Sequence, residues 1–292
     1  MILSEQERLD FYIGHNSSFS SREPVSGSSL HDSPFLAEFG KPYKSRNNYD
    51  TDVIRYVNIS KNKKLWFQCG DSPYYGAYPI LVKIRDSFKK SFGILSNLNS
   101  ARHWGLVPSM LSDTEWEQKE NDWVWRGADT GNDIEDNPRL EFVKKFYAYH
   151  NVGFSGKLQN KFRHPNIYLD EYYKDPKPIN FVSSYKYQAV VEGNDKSSAL
   201  NWILASNCVP IMSKPRFHSW LCEKHLKSNV HYVECKRDFS NFLDKIQWCK
   251  DNDKKAKEIA LNGRRFIYDN FGNPEKEHSI EKSLIEFVEN KK

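Results

Sequence analysis

The stretch that most restricts how this chain can fold is 123–212, where short apolar runs alternate with amphipathic segments. Residues 123–126 read as a strand, 138–150 as a helix, 187–191 as a strand, 197–207 as a helix and 208–212 as a strand. Strands separated by helical crossovers pair in parallel, because each helix returns the chain to the same end of the sheet. The order therefore predicts an α/β fold, extended by a further strand at 230–234. A fainter version runs through the first half: strands at 53–59, 64–69 and 92–98, with a helix at 79–89 drawn from Ile80, Ile84 and Phe88 at i, i+4, i+8. Before residue 50 only a helix near Glu5 to Ile13 stands out, and the segments 239–250, 254–271 and 275–292 read as helices.

At 292 residues the chain exceeds one ordinary core and is expected to form two lobes of roughly 100–150 residues each, with one large α/β domain the alternative. Its 18 Phe, 16 Tyr and 8 Trp exclude a disordered chain. Apolar runs stop far short of the roughly 20 residues of a membrane span, so no transmembrane segment is expected. The first residues carry acidic charge where a signal peptide needs basic charge. Five cysteines, Cys69, Cys208, Cys222, Cys235 and Cys249, form no C-x-x-C pair, which suggests neither a disulfide framework nor a zinc site and points to a reducing, cytoplasmic setting. A net charge of +5, dispersed rather than gathered in a stripe, favours a phosphorylated small molecule over a nucleic acid as partner.

In open α/β sheets ligands bind outside the carboxyl ends of the strands, so polar clusters there carry the functional reading. Gly193, Asn194, Asp195, Lys196, Ser197 and Ser198 follow one strand and open a helix. Their backbone N–H groups and the Lys196 ammonium suit a diphosphate, and the same residues suit an ordinary N-cap; the pattern is neither a Walker loop nor G-x-G-x-x-G. Arg126, Gly127 and Ala128 end another strand in a turn, with Arg139 at the start of the next helix. Two arginines at one junction can clamp phosphate oxygens, or Arg139 is solvated and Arg126 pairs with Asp129 or Asp133.

Asp71, in the turn Gly70-Asp71-Ser72-Pro73, has the position of a general base for an acceptor hydroxyl, although any surface turn shares that composition. His103 is either a cleft residue or a packed structural one. Trp66, Tyr74 and Tyr75 are candidates to stack on a sugar, with a core position the alternative for Trp66. The pairs Asp50/Asp52 and Asp251/Asp253 have metal-site spacing but read better as solvated charge, so no metal ligand is assigned.

The run YQAVVEGNDKSSALNWILASNCVPIM at 187–212, the turn WVWRGADTGNDIEDNPR at 123–139 and the ending 217–271 resemble glycosyltransferase family 90. The resemblance implies a GT-B-like α/β architecture: two Rossmann-like lobes with a cleft between them, bridged by C-terminal helices. The lobes would be an acceptor-side lobe at 1–115 and a nucleotide-sugar lobe at 116–274, with a helix at 275–292 packing back across both. It implies an inverting, metal-independent transferase with no cofactor, moving xylose or glucose from a UDP-sugar to a glycan hydroxyl. By position Asp71 matches the family's catalytic aspartate. Arg139 and the loop 194–198 would face the diphosphate, Gly127 and Ala128 would line the nucleotide pocket, and His103 aligns with a histidine in the acceptor-side lobe; from their positions in the sequence, Arg126 and Gly193 join the nucleotide-sugar site and Tyr74 the acceptor side. Two departures stand out: Ala128 replaces the Ser of the animal enzymes, and Ala199 replaces an Arg, leaving Lys196 as the cation at hand. The competing reading from another class is a non-catalytic carbohydrate-binding protein, which explains the aromatic content and tolerates loss of Asp71.

Overall fold

The computed structural model describes residues 1–14, 19, 22–24, 33–41, 47–131, 137–156 and 158–291. In chain order the elements are α1 (Glu5–Ile13), β1 (Phe35–Glu38), α2 (Asp50–Ile59), β2 (Lys64–Gln68), β3 (Leu81–Val82), β4 (Arg85–Asp86), β5 (Ile94–Leu95) and α3 (Ser100–Trp104). There follow β6 (Glu120–Gly127), α4 (Pro138–Phe146), β7 (Val152–Phe154), α5 (Asn160–Arg163), α6 (Ile179–Ser183), β8 (Tyr185–Ala189), α7 (Ala199–Ala205) and β9 (Val209–Met212). The last are β10 (Phe217–His218), β11 (Val233–Glu234), α8 (Phe242–Asp251), α9 (Asp253–Phe271) and α10 (Pro274–Glu289). They form a mixed α/β protein of two compact units. One comprises Met1–Gly105, Arg216–His225 and Tyr268–Lys292, the other Leu106–Pro215 and Leu226–Ile267. Among the described residues no helix is long and apolar enough to cross a membrane.

The second unit is built on a fully parallel sheet of order β11-β9-β8-β6-β7. Its strands and helices fall where the alternation at 123–212 predicts them, with slightly shifted ends. β7 is an addition, a three-residue strand too short for a periodic signal. The core beneath the sheet is aromatic. The Trp123 ring meets Phe242 at 4.9 Å and Phe146 at 5.6 Å, both edge-on, and Trp125 meets Phe154 edge-on at 5.8 Å, geometries that match ring edges to ring faces.

The first unit departs from its expected βαβ rhythm. Its four-stranded sheet has the order β1-β2-β3-β5, with β1 antiparallel to β2 and the rest parallel. Residues 53–59, expected as a strand, belong to helix α2. Val53, Tyr56 and Val57 are buried at i, i+3, i+4 while Ile54 is 52% exposed, a helical stripe whose β-branched residues give it the composition of a strand. Residues 79–89, expected as a helix, form β3 and β4. Ile80, Leu81, Val82 and Ile84 are all buried and Phe88 is exposed, the signature of strands covered on both faces and not of an amphipathic helix.

The amino-terminal helix is held by charge. Ser4 and Glu7 form a reciprocal capping box at its start. The fully buried Arg8 donates to Glu277, to the Asn270 carbonyl and to the Tyr12 hydroxyl, and its guanidinium lies 4.4 Å from the centre of the Phe271 ring. Each donor of this desolvated cation meets an acceptor or a ring face, which offsets the penalty of burying it.

Candidate functional site

In the second unit the first strand in sequence, β6, sits between the second, β7, and the third, β8. The chain leaves β6 toward one edge of the sheet and later returns to β8 on the other side. The loops after β6 and β8 therefore part in opposite directions and leave a crevice at their carboxyl ends, the switch point where α/β sheets bind ligands. Both polar clusters of this unit fall there.

Arg139 joins them. Asn137 caps α4 by accepting from the backbone N–H groups of Arg139 and Leu140, each at 3.1 Å, and Pro138 takes the first helical position. Arg139, next in line, carries its side chain back over the strand ends. Nη1 donates to the Ala128 carbonyl at 3.0 Å and to Thr130 Oγ1 at 2.6 Å, and Nε donates to the Val191 carbonyl at 3.3 Å. One guanidinium thus binds the loop after β6 to the end of β8. Gly193 makes the approach possible: a Cβ there would lie 2.7 Å from Thr130 Oγ1 and 2.9 Å from Arg139 Cζ.

The loop after β8 is half-buried, with Asp195, Lys196 and Ser197 inside. The Gly193 N–H donates to the Asp195 carbonyl at 2.9 Å, and Asn194 Nδ2 donates to Gln159 Oε1 at 3.4 Å. Lys196 is buried and donates to Asn201 Oδ1 at 2.9 Å on α7. Ser198 is the N-cap residue of α7 and makes no side-chain capping bond; the Ser197 carbonyl accepts from Leu200 N–H at 3.2 Å. Gly127 has the Trp125 ring against it, 2.8 Å from where a Cβ would stand.

Two readings of the β6 turn are corrected by the geometry. Arg139 is not solvated but 9% exposed. Arg126 does not pair with Asp129: it donates to the carbonyls of Trp125 and His150, at 3.2 and 2.9 Å, and burial holds its pKa below the usual arginine value. Asp133 lies outside the described residues. Asp129 instead accepts from the backbone N–H groups of Gln159 and Lys161 and from the Tyr173 hydroxyl, fixing the entry to α5. Burial and the Asp129 carboxylate together push the Tyr173 phenol well up. Thr130 and Asn137 were not singled out as site residues by sequence. Their signal was the cap pattern Asn-Pro after the turn, which places a side chain at the second helical position over the strand ends.

In the first unit Asp71 follows β2 in a turn whose Gly70 has φ +112°. Its Oδ1 is 2.5 Å from Lys83 Nζ, the residue directly after β3, and Lys83 is 3% exposed while the Asp71 side chain is 30% exposed. Since β2 and β3 are parallel, both charges stand at one end of the sheet. Lys83 was missed. It is the single charge interrupting the apolar run from Ile80 to Ile84, which is the signal that could have found it. His103 is buried on α3, which follows β5. Tyr74 is buried, its carbonyl accepting from Phe92 N–H at 2.6 Å, while Tyr75 is 52% exposed. Trp66 takes the core position, edge-on to Tyr78.

Neither Asp-x-Asp pair is solvated charge as a whole. Asp52 is buried and accepts from Ser100 N and Oγ at 2.9 and 2.6 Å, starting α3. Asp253 accepts from Lys186 at 2.7 Å and from Trp116 Nε1 at 3.1 Å. Among the described residues no three His, Cys, Asp or Glu side chains gather as a metal site.

The chain is 28% identical over 246 residues to O-glucosyltransferase LpsA of Dichelobacter nodosus, covering 84% of this chain and 72% of that protein. It is 33% identical over 153 residues to Protein O-glucosyltransferase 2 of Danio rerio, covering 52% of this chain but 29% of that protein. It is also 26% identical over 186 residues, 53% of this chain and 16% of the other, to Uncharacterized protein 179R of Invertebrate iridescent virus 6. The chain thus spans most of the bacterial relative and under a third of the animal and viral ones. Residues 101–274, which include β6 to β11 and the loops clasped by Arg139, match the model of glycosyl transferase family 90, and the chain belongs to that family.

Proposed function

We propose that the protein is a glycosyltransferase that moves glucose or xylose from a UDP-sugar to a hydroxyl of a glycan, with inversion at the anomeric carbon. The observation that carries the reading is the Arg139 clasp: the two polar loops of the family-matched segment meet at the switch point of a parallel sheet, the place in such sheets where nucleotides bind. Glucose transfer is further supported by the names of the bacterial and fish relatives. In this reading the two α/β units play the parts of a GT-B enzyme, the second holding donor and the first acceptor.

Asp71 takes the proton of the acceptor hydroxyl as its oxygen attacks the anomeric carbon. The bond from that carbon to the UDP oxygen breaks in the same step, so no covalent enzyme intermediate forms. The Lys83 ammonium fixes the orientation of the Asp71 carboxylate. On the donor side Gly127 and Ala128 line the nucleotide pocket. Loop amides at 193–198 and Lys196 stabilise the charge arriving on the diphosphate, the type of preorganised contact whose removal raises a barrier by about 3–4 kcal/mol. Arg139 holds the two loops in register for that task. Fixed cations of this kind make a divalent metal unnecessary.

The test is a donor panel with the purified chain: UDP-glucose and UDP-xylose, each with simple sugar acceptors, scoring UDP release with and without chelator. Release from one donor, undiminished by chelator, is expected. UDP at about 100 times its dissociation constant should also stabilise the fold by roughly 2.7 kcal/mol. A folded sample whose melting curve is unmoved by millimolar UDP would refute the reading.

A further inference from the structure

The first unit carries an open cleft of about 680 Å³, bounded by α1, the β4–β10 pair, the segment that follows β4 and the segment that follows β10, with no residue of the Asp71 turn in its lining. Its lining comes from residues before 93 and from 218–225. Only the latter fall inside the segment that defines the family, so most of the cleft lies outside it. Its size suits a mono- or disaccharide.

Charge inside the cleft is unequally satisfied. The three acids on its wall already have donors. Glu7 accepts from Ser4 N and Oγ at 2.8 and 2.9 Å, and Asp10 from Gln6 Nε2 at 2.7 Å. Asp86 accepts from Arg216 Nε and Nη2 at 3.0 and 2.7 Å and from the Phe88 amide at 2.9 Å. Arg85 is different. Among the described residues its one hydrogen-bond acceptor is the Phe11 carbonyl, and its guanidinium lies 5.6 Å from the Phe11 ring centre. Burial pulls its pKa down to about 10, as happens to a cation with no carboxylate against it. Exposed Lys90 and Lys224 stand on the same wall. His218, opposite Arg85 in the β4–β10 register, is held below the usual histidine value first by burial and also by Arg85, so it adds no charge at neutral pH.

A guanidinium with donors to spare, two lysines and the rings of Phe11 and Phe92, the latter 39% exposed, make a site for an anion attached to a ring with an apolar face. Arg supplies paired donors for phosphate or carboxylate oxygens, and aromatic rings take the CH face of a sugar. We propose that this cleft binds a phosphate- or carboxylate-bearing saccharide, with Arg85 as the anion's principal donor, and that it recognises an anionic residue of the acceptor glycan. The acceptor assignment rests on the glycosyltransferase reading; the anion site does not.

The test is calorimetric titration of the whole chain, with UDP present in excess to occupy the donor site. The probes are glucose 6-phosphate, galacturonic acid, glucose and inorganic phosphate. Saturable binding of glucose 6-phosphate and galacturonic acid is expected, at least tenfold tighter than glucose or inorganic phosphate. Arg85→Met should weaken it at least tenfold while UDP affinity stays as in the parent. Lys224→Ala, at an exposed position that cannot compromise folding, should weaken it about threefold and keeps the test decisive if Arg85→Met fails to fold. The proposal falls if the anionic sugars do not bind, if both variants bind them as the parent does, or if inorganic phosphate binds as tightly as glucose 6-phosphate. Absence of UDP binding alongside intact glucose 6-phosphate binding would sink the transferase reading and leave the anion site standing.

Discussion

Gly193→Ala probes the clasp at the switch point most directly. The backbone at Gly193 lies outside the left-handed region, so the methyl adds no dihedral strain, and the whole effect arises from what it touches. Its carbon would stand 2.7 Å from Thr130 Oγ1 and 2.9 Å from Arg139 Cζ, each well inside contact distance. The guanidinium has little freedom to retreat, since Nη1 and Nε are engaged with Ala128, Thr130 and Val191. Relief therefore requires loss of about one hydrogen bond from a charged donor, worth about 1.5–3 kcal/mol. Urea unfolding followed by fluorescence of the buried tryptophans measures the loss, and calorimetric titration with UDP measures what it does to the site, where weaker binding is expected. Thr130→Ala removes the nearer of the two obstructing atoms. The double variant should recover part of the stability, with a coupling of about 0.5–3 kcal/mol between the two positions. Gly193→Ala with a stability within 0.5 kcal/mol of the parent, or strict additivity with Thr130→Ala, would refute the clasp as drawn.

Asp71→Asn should lower transfer by about 10²–10⁴-fold with UDP affinity unchanged, since an amide cannot take the proton. It also strips a counter-charge from buried Lys83, at a loss of about 2 kcal/mol, below the 3–5 kcal/mol of a fully buried pair because the Asp71 side chain is 30% exposed. Lys83→Met in the same chain should restore stability but not turnover, and wild-type turnover in either variant would remove Asp71 from the mechanism. Lys196→Met should weaken UDP binding about tenfold; unchanged donor kinetics would leave Lys196 with a structural role, as a donor to Asn201. His231 gives the pH prediction. Its Nδ1 accepts from Lys227 N–H at 3.0 Å, and burial, aided by Lys227, brings its pKa down to about 4. The unfolded chain then binds more protons than the folded one between about pH 6.5 and 4, so stability is full above 6.5 and declines as pH falls, by about 2 kcal/mol after allowing for solvent screening. His231→Gln should flatten that part of the stability curve, and an unchanged slope in urea titrations would show the proton is taken up elsewhere.

The two units differ in how openly their sequences state their structure, and the difference has a physical source. In the second, β7, β8 and β9 are buried along their whole length and the crossovers from β6 through β9 carry helices, so apolar runs and amphipathic stretches differ in composition as well as period. The first builds its sheet from strands of two to five residues, shorter than any period can reveal, and joins β3 to β5 without a helix. There composition misleads: Val53 and Ile54 suggest a strand where the spacing of Val53, Tyr56 and Val57 forms helix α2, and Ile80 with Ile84 suggest a helix where both are sheet-covered. The same contrast governs the candidate site residues. Positions set by a strand end and a capped helix, such as Gly193 and Arg139, are readable because their elements are; what was not readable is that Arg139 turns inward onto Ala128, Thr130 and Val191, since a side-chain hydrogen bond across 52 residues leaves no local pattern. Lys83, Asp129 and Arg85 belong to that second kind. Each is a charge whose partner, or lack of one, is decided by which strands lie side by side. It follows that in the second unit the strand ends can be located from sequence, while the charges around the strand ends of both units emerge only from the tertiary structure.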